Sequence, residues 1–448
     1  MESHRILDMI SSPADLKLLT NEELSILASE IREQIITTTS KTGGHVAPSL
    51  GVVELILACH SVLDCPHDKL LFDVGHQSYA HKLVTGRLGE FDTLRQFGGM
   101  SGFPKASESE YDVHPSGHAS DSVSVALGLA MARDLNGGDE KIVTIIGDAS
   151  LSGGMAFEAL NQLGQLQTPM VIILNDNEMS ISRNVGAFAR YLGEKRASRE
   201  YTRTRDSVQS ALEASGPLGR GLVDLGRNAK DSFKQMVIPG EMLFEKLGIT
   251  CTAPIPGHDI AALKRALRVC LEADGPTLLH VVTKKGKGYG PAEENPSKFH
   301  GIGPYDIATG EVKKGSSTAP KYTSVFSKAI VAEAEANHDI VAITAAMKDG
   351  TGLAEFAEKF PKRFIDTGIA EEHAVALASG LALGGKKPVV CIYSTFMQRA
   401  FDQLVINNAL ANTNVVFCLD RAGLVGDDGP THHGVFDIAY GRMVPGVR

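Results

Sequence analysis

Two stretches decide the fold: KIVTIIGD at 141–148 and MVIILNDN at 170–177, joined by the helix-like GMAFEALNQLGQL of 154–166. Each is a short run of β-branched and aliphatic residues closed by polar ones, the pattern of a strand buried on both faces. Strand, helix and strand in succession make a parallel βαβ unit, and open parallel sheets bind ligands beyond the carboxyl ends of their strands. Working outward, DSVSVALGLAMARDL at 121–135 predicts a helix stopped by Gly137-Gly138, and residues 21–38 predict an amphipathic helix. TLLHVVTK at 277–284 reads as a further strand that closes a first domain over 1–301.

Within that domain, 183–240 breaks the pattern. It sets Arg196, Arg199, Arg203, Arg205, Arg220 and Arg227 among serines and glycines, and reads as a mobile insertion with a solvated surface. The segment 302–323 mixes Gly, Ser, Pro and Lys without periodicity and reads as an interdomain linker. New strand signals follow at DIVAITAA (339–346), PVVCIYST (388–395) and NVVFCLD (414–420), with helical stretches between them. A second α/β domain is therefore expected over 324–448.

Composition excludes several classes. In 448 residues, 44 Lys and Arg stand against 53 Asp and Glu, a net charge of −9 with no basic block to track a phosphate backbone, so nucleic-acid binding is disfavoured. No apolar run nears the roughly 18 residues of a membrane helix, and MESHRILDMI lacks the apolar region of a signal peptide; no membrane and a cytoplasmic protein are expected. The six cysteines are scattered without a CxxC pair, as reduced structural thiols are.

The chemistry-bearing residues gather at predicted strand ends. Asp148 and Asn177 each sit just past a strand of the βαβ unit, which brings a carboxylate and an amide oxygen to one sheet edge. Such hard oxygens suit a Mg²⁺ ion held partly by a diphosphate, and the backbone carbonyl of Met179 can add a third. Taken alone, Asp148 would read as a helix cap and Asn177 as a turn residue; strand context reverses that. Histidine follows glycine at GGH (43–45), VGHQ (74–77) and SGH (116–118), and three such pairs favour a shared anionic site over three capping residues. TKKGKGYG at 283–290 places Lys285 and Tyr289 on a loop after a strand, readable as a diphosphate strap or as an exposed basic turn. In the second domain Glu371, Glu372 and His373 open an apolar helix, where a carboxyl group can be partly buried and its pKa raised, or can simply complement the helix dipole.

SGHAS (116–120), GDASLSGGMAFEALN (147–161), LNDNEMSISRNVG (174–186), GIAEEHA (368–374), YSTFMQRAFDQ (393–403) and DRAGLVGDDGPTHHG (420–434) together resemble one family. It is the 1-deoxy-D-xylulose-5-phosphate synthase family, thiamine-diphosphate-dependent relatives of transketolase. The resemblance covers nearly the whole chain and implies two doubly wound parallel-sheet domains of the thiamine-diphosphate-binding type, the second incomplete and the family's third absent. It implies a homodimeric transferase joining pyruvate to D-glyceraldehyde 3-phosphate with loss of CO₂, the first step of non-mevalonate isoprenoid synthesis and a route to thiamine and pyridoxal. By the same resemblance, Asp148, Asn177 and Met179 hold Mg²⁺. His76, Gly117, His118, Ala119, Ala149, Ser150, Lys285 and Tyr289 line thiamine diphosphate, Phe396 packs on its pyrimidine, and Glu371 protonates that ring. His45 and His432 transfer protons, and Tyr393, Arg399, Arg421 and Asp428 contact substrate.

Three departures from the family's pattern carry expectations. Gly147-Asp148-Ala149 stands for Gly-Asp-Gly, so Ala149 must have a negative φ. Glu371-Glu372-His373 stands for Glu-Gln-His, and the added carboxylate should raise the pKa of Glu371 further. Family members continue beyond a position like Arg448, which supplies two competing readings besides transketolase-type ketol transfer: a non-catalytic subunit, or a fragment that needs a separate C-terminal polypeptide. An unpaired sheet edge, oligomerisation and weak turnover are the expected consequences.

Overall fold

The computed structural model describes residues 5–177, 185–188, 190, 191, 193, 243–313 and 319–448. They fall into two units, the first running to Lys313. Its strands are β1 (Lys69–Phe72), β2 (Ile142–Gly147), β3 (Val171–Asp176), β4 (Thr250–Cys251), β5 (Ile255–Pro256) and β6 (Thr277–Val282). All pair in parallel in the order β1-β2-β3-β6-β4, with β5 also on β6. Every residue of β3 and the first five of β2 are buried, which is why both read as unbroken apolar runs. Alternate side chains face opposite layers. Ile146, Ile172 and Leu174 pack with the helices Ser122–Asn136 and Gly154–Leu166, while Val143, Ile145, Val171 and Ile173 pack with Asn21–Thr42, Val53–Val62 and Ile260–Leu271. Each such fully buried aliphatic side chain contributes roughly 1.5–3 kcal/mol.

The helix expected at 21–38 runs Asn21–Thr42. Thr20 and Glu23 close a capping box at its start, and Gly43, at φ 72°, ends it. Ser122–Asn136 likewise ends at Gly137 in the left-handed conformation.

In the second unit β7 (Ile340–Thr344), β8 (Phe364–Asp366), β9 (Lys387–Tyr393) and β10 (Val416–Asp420) form a parallel sheet ordered β10-β9-β7-β8. Ile343, Val390 and Ile392 pack on Ala374, Val375 and Ala378 of the helix Glu371–Leu383. Ala342 and Cys391 pack on Ile330 and Val331 of the helix Tyr322–Ala336, and on Phe356.

The structure corrects the linker expected at 302–323. Ile302 pairs with Gly44, Tyr305 pairs with Val312, and Lys313 N donates to the Pro304 carbonyl. Tyr305 is fully buried with its hydroxyl 2.9 Å from Thr39 Oγ1, so apolar burial ties 302–313 to the first unit. At the other end a helix already starts at Tyr322, before the expected boundary at 324. Most of the insertion expected at 183–240, and Met179, lie outside the described residues. The strands β1, β4, β5 and β8, of two to four residues each, were too short to show in the sequence pattern. Among the described residues, no helix is long and apolar enough to cross a membrane.

Candidate active site

In the first unit the polar residues collect at the carboxyl edge of the sheet. The β2–β3 register sets Gly147 beside Asn175, so Asp148 and Asn177 follow adjacent parallel strand ends, as the sequence spacing requires. Asp148 is 5 % exposed and opens the one-turn helix Asp148–Leu151. Ala149 lies inside that turn and is not among the residues with positive φ, so the alanine is accommodated. Of the NDN triplet, Asn175 accepts from Thr283 Oγ1 at 2.6 Å and the buried Asp176 bonds His280 Nε2 at 2.9 Å. Both bonds hold β3 to β6, whereas Asn177 sits half-buried just beyond the strand.

The loop carrying Gly117, His118 and Ala119 is pinned at both ends. At its far end Ser120 N donates to both carboxylate oxygens of Asp73 (2.9 and 3.0 Å), and Ser120 Oγ donates to the Ser150 carbonyl (2.7 Å). Asp73 is buried, and burial pushes its carboxyl up to about 6 against the Ser120 hydrogen bond. Next to it Val74 holds φ 60°, a strained setting for a β-branched residue. Gly75, at φ 80°, must be glycine for a second reason: a Cβ there would overlap Ser116 Oγ, so the VGHQ and SGH loops meet face to face. At the near end the buried Asp112 accepts from Arg87 (2.8 and 2.9 Å), His81 (2.9 Å) and the Lys105 amide (2.8 Å).

Three histidine rings cluster beside this loop, with centroids 5.8 Å apart for His45 and His76, 5.0 Å for His76 and His300, and 6.1 Å for His45 and His300. Lys285, 6 % exposed, lies 3.0 Å from His300 Nδ1. Burial brings its ammonium down to about 8, with the Asp148 charge acting the other way. His300 is held well below the ordinary histidine range by burial, reinforced by Lys285, His76 and His45, so it accepts a hydrogen bond from Lys285 as a neutral ring. The basic turn is therefore built rather than loose. His258 Nε2 accepts from Lys284 N at 2.9 Å, Arg32 donates to the Lys287 carbonyl at 2.9 Å, and Glu54 joins Arg32 to His258.

Tyr289 lies apart from this group. Its hydroxyl donates to the Ile307 carbonyl at 2.7 Å and its ring packs on Phe299 and Tyr305. His300 is the residue that the sequence pattern passed over, because His300-Gly301 reverses the glycine–histidine order of the other three pairs.

In the second unit Glu371 is the first residue of its helix and 4 % exposed, whereas Glu372 is half-buried and His373 exposed. Burial raises the Glu371 pKa, Glu372 adds to the rise, and Arg399 opposes it from 3.3 Å. Beyond the end of β9 the rings of Tyr393 and Phe396 stack at 5.6 Å, and His432 meets Phe396 edge-on at 5.7 Å. The Arg421 guanidinium lies 4.6 Å from the centre of the Tyr393 ring and 3.4 Å from Asp428. Arg421 takes φ 54°, a left-handed residue directly at the end of β10. Thr431 Oγ1 bonds His432 Nδ1 at 2.9 Å, which fixes the orientation of the ring.

These groups fit an anionic cofactor with a divalent ion. Hard oxygens stand at Asp148 and Asn177, a buried ammonium at Lys285, and the Ser116 hydroxyl is buried with no partner among the described residues.

Two family models match the chain: 1-deoxy-D-xylulose-5-phosphate synthase over residues 7–283, and the pyrimidine-binding domain of transketolase over 318–448. The 1-deoxy-D-xylulose-5-phosphate synthase of Pelotomaculum thermopropionicum is 54% identical over 443 residues, 99% of this chain and 69% of that protein. Those of Desulforudis audaxviator and Carboxydothermus hydrogenoformans are 54% and 52% identical over 442 residues, covering 69% and 71% of their lengths.

Proposed function

Since the chain belongs to the 1-deoxy-D-xylulose-5-phosphate synthase family, we propose that it is a transferase condensing pyruvate with D-glyceraldehyde 3-phosphate. The products are 1-deoxy-D-xylulose 5-phosphate and CO₂, the first step of the non-mevalonate isoprenoid route. Bound thiamine diphosphate supplies the electron sink that loss of CO₂ from a 2-keto acid requires. Asp148 and Asn177, with the Met179 carbonyl, give Mg²⁺ its protein oxygens. Lys285, His76 and His118 donate toward the diphosphate, with Gly117, Ala119, Ala149 and Ser150 allowing close backbone approach. Glu371, its pKa raised by burial, shares its proton with the pyrimidine nitrogen, while Phe396 packs on that ring. His45 and His432 move protons at the substrate, and Arg421, Asp428 and Tyr393 orient its polar end. Arg399 has a second task, since its bond to Glu371 sets how readily that carboxyl gives up its proton. Homodimeric assembly and a cytoplasmic location complete the reading, on the family resemblance.

The observation that carries the proposal is Glu371, a buried carboxyl with a raised pKa at a helix start, held by one arginine. The test is direct: the chain, given thiamine diphosphate, Mg²⁺, pyruvate and D-glyceraldehyde 3-phosphate, should release CO₂ and form the deoxy sugar phosphate. Turnover of a ketose phosphate donor with no use of pyruvate would overturn it in favour of ketol transfer.

A further inference from the structure

Beneath the Tyr393–Arg421 contact lie two thiols that the proposed reaction does not use. Cys391 of β9 and Cys418 of β10 are direct partners in the parallel register, and both belong to the face packed on Ile330, Val331 and Phe356. Neighbouring strands lie about 4.8 Å apart, inside the roughly 4.4–6.8 Å between Cα atoms that a disulfide spans. Cys391 is buried, whereas Cys418, on an edge strand, is half-buried and within reach of a small oxidant.

We propose that Cys391 and Cys418 form a reversible dithiol–disulfide site, oxidised by a hydroperoxide, whose closure shifts Tyr393 and Arg421.

The chemistry balances with the peroxide as the only co-reactant. The Cys418 thiolate attacks the outer peroxide oxygen, the O–O bond breaks, and the leaving alkoxide takes up the thiol proton, giving a sulfenic acid and an alcohol or water. The Cys391 thiolate then attacks the Cys418 sulfur, the S–S bond forms, and hydroxide departs as water with the Cys391 proton. Two thiols are oxidised by two electrons and the peroxide is reduced by two. The order of attack follows from exposure, since Cys418 is half-buried and Cys391 buried, and the interaction between the two holds Cys418 below the ordinary thiol range and pushes Cys391 up. Burial pushes the other four, Cys59, Cys65, Cys251 and Cys270, up and out of the reactive range.

The consequence lies two and three residues further on, at Tyr393 and Arg421. Shortening a thiol–thiol contact to a covalent bond of about 2.05 Å draws β9 and β10 together on one face. Their carboxyl ends carry the 4.6 Å ring contact and the Arg421–Asp428 pair. A displacement of about 1 Å at a substrate-orienting group can cost on the order of 100-fold in rate, so turnover should fall at least several-fold on oxidation. That last effect rests on the proposed reaction, whereas the bond and the shift do not.

The test uses the full chain and hydrogen peroxide in modest excess. Peptide mapping should find Cys391 linked to Cys418, a thiol count under denaturing conditions should drop by two, and dithiothreitol should restore both. Cys391→Ala and Cys418→Ala should each abolish the link. Hydrogen exchange at amides 419–428 should change on oxidation in the natural chain and not in either variant. Retention of all six thiols, a link elsewhere, or over-oxidation of Cys418 without a link would overturn the site. A link that leaves exchange at 419–428 unaltered would overturn its coupling to Arg421. If the reduced chain uses no pyruvate, the reaction assigned above fails while the mapping and exchange results still decide the thiol pair.

Discussion

Arg399 Nη1 lies 3.3 Å from Glu371 Oε2, and this one bond opposes the burial that would otherwise keep the carboxyl neutral over a wider range. The side chain of Glu371 is 5 % exposed and that of Arg399 15 %, so neither charge is fully answered by water. Burial raises the pKa of this carboxyl and so favours the protonated form, which is what a group sharing a proton with a heterocycle nitrogen needs.

Replacing Glu371 by glutamine separates stability from chemistry. Burial raises the folded pKa above the ordinary 4.5. The carboxyl therefore contributes stability that is full below 4.5 and lost as pH rises through the folded value. Above the folded value the natural chain carries a buried carboxylate that glutamine lacks. The stability of Glu371→Gln relative to the natural chain should therefore improve as pH rises, while deuterium exchange at the thiazolium carbon and turnover fall about 100-fold or more. Normal exchange in the variant would move the role to Glu372.

Asp148→Ala should uncouple cofactor binding from the divalent ion. By calorimetry, affinity for thiamine diphosphate with Mg²⁺ should drop about tenfold or more, about 1.4 kcal/mol, and added chelator should then make no further difference. An unchanged chelator effect in the variant would remove Asp148 from the ion's ligands.

Lys285 gives binding a pH dependence. Its ammonium is brought down to about 8 by burial, so the cation proposed to face the diphosphate is lost as pH rises through that value. Affinity for the cofactor should weaken between pH 7.5 and 9.5, roughly tenfold per unit above 8 once the ammonium is gone. Lys285→Arg, charged throughout, should flatten the profile even if it binds less well. A Lys285→Arg profile as steep as the natural one would refute the assignment.

How much of this was legible in the sequence depends on whether the signal is local. The places of Asp148 and Asn177 at adjacent strand ends were legible because a buried parallel strand shows itself in a few consecutive residues closed by polar ones. Glu371 was legible from the apolar helix it opens. Tyr305 was not, because the Gly-, Pro- and Lys-rich turn around it hides a bridge to Val312 and a contact with Thr39 on the first long helix. His300 was passed over because its ring reaches Lys285 and His76 through the fold, while its neighbours in sequence resemble an ordinary turn. The Asp112 cluster joins residues 25 and 31 positions away in the chain, a pairing that no periodicity encodes.

Asp112 is where that hidden order should be most costly to disturb. Burial pushes its carboxyl up, but hydrogen bonds from His81 and Arg87 outweigh burial and leave it well below the usual carboxylate range. The contribution to stability is thus present above the ordinary 3.8 and lost as pH falls through the lower folded value. Asp112→Asn removes the charge but keeps the shape. Arg87, bidentate on Asp112 and 7 % exposed, is left uncompensated, and Lys82, fully buried, loses one carboxylate and keeps Glu108 at 3.0 Å. Breaking one partner of such a buried set costs about 3–5 kcal/mol. Urea unfolding at pH 7 should show a loss of that size, and the gap from the natural chain should narrow as pH falls well below 3.8. Because Asp112 also pins the near end of the loop bearing His118, the folded variant should bind thiamine diphosphate more weakly at temperatures far below its unfolding. A change in stability within about 1 kcal/mol, or full affinity in the folded variant, would show that Ser120 and Asp73 hold the loop by themselves.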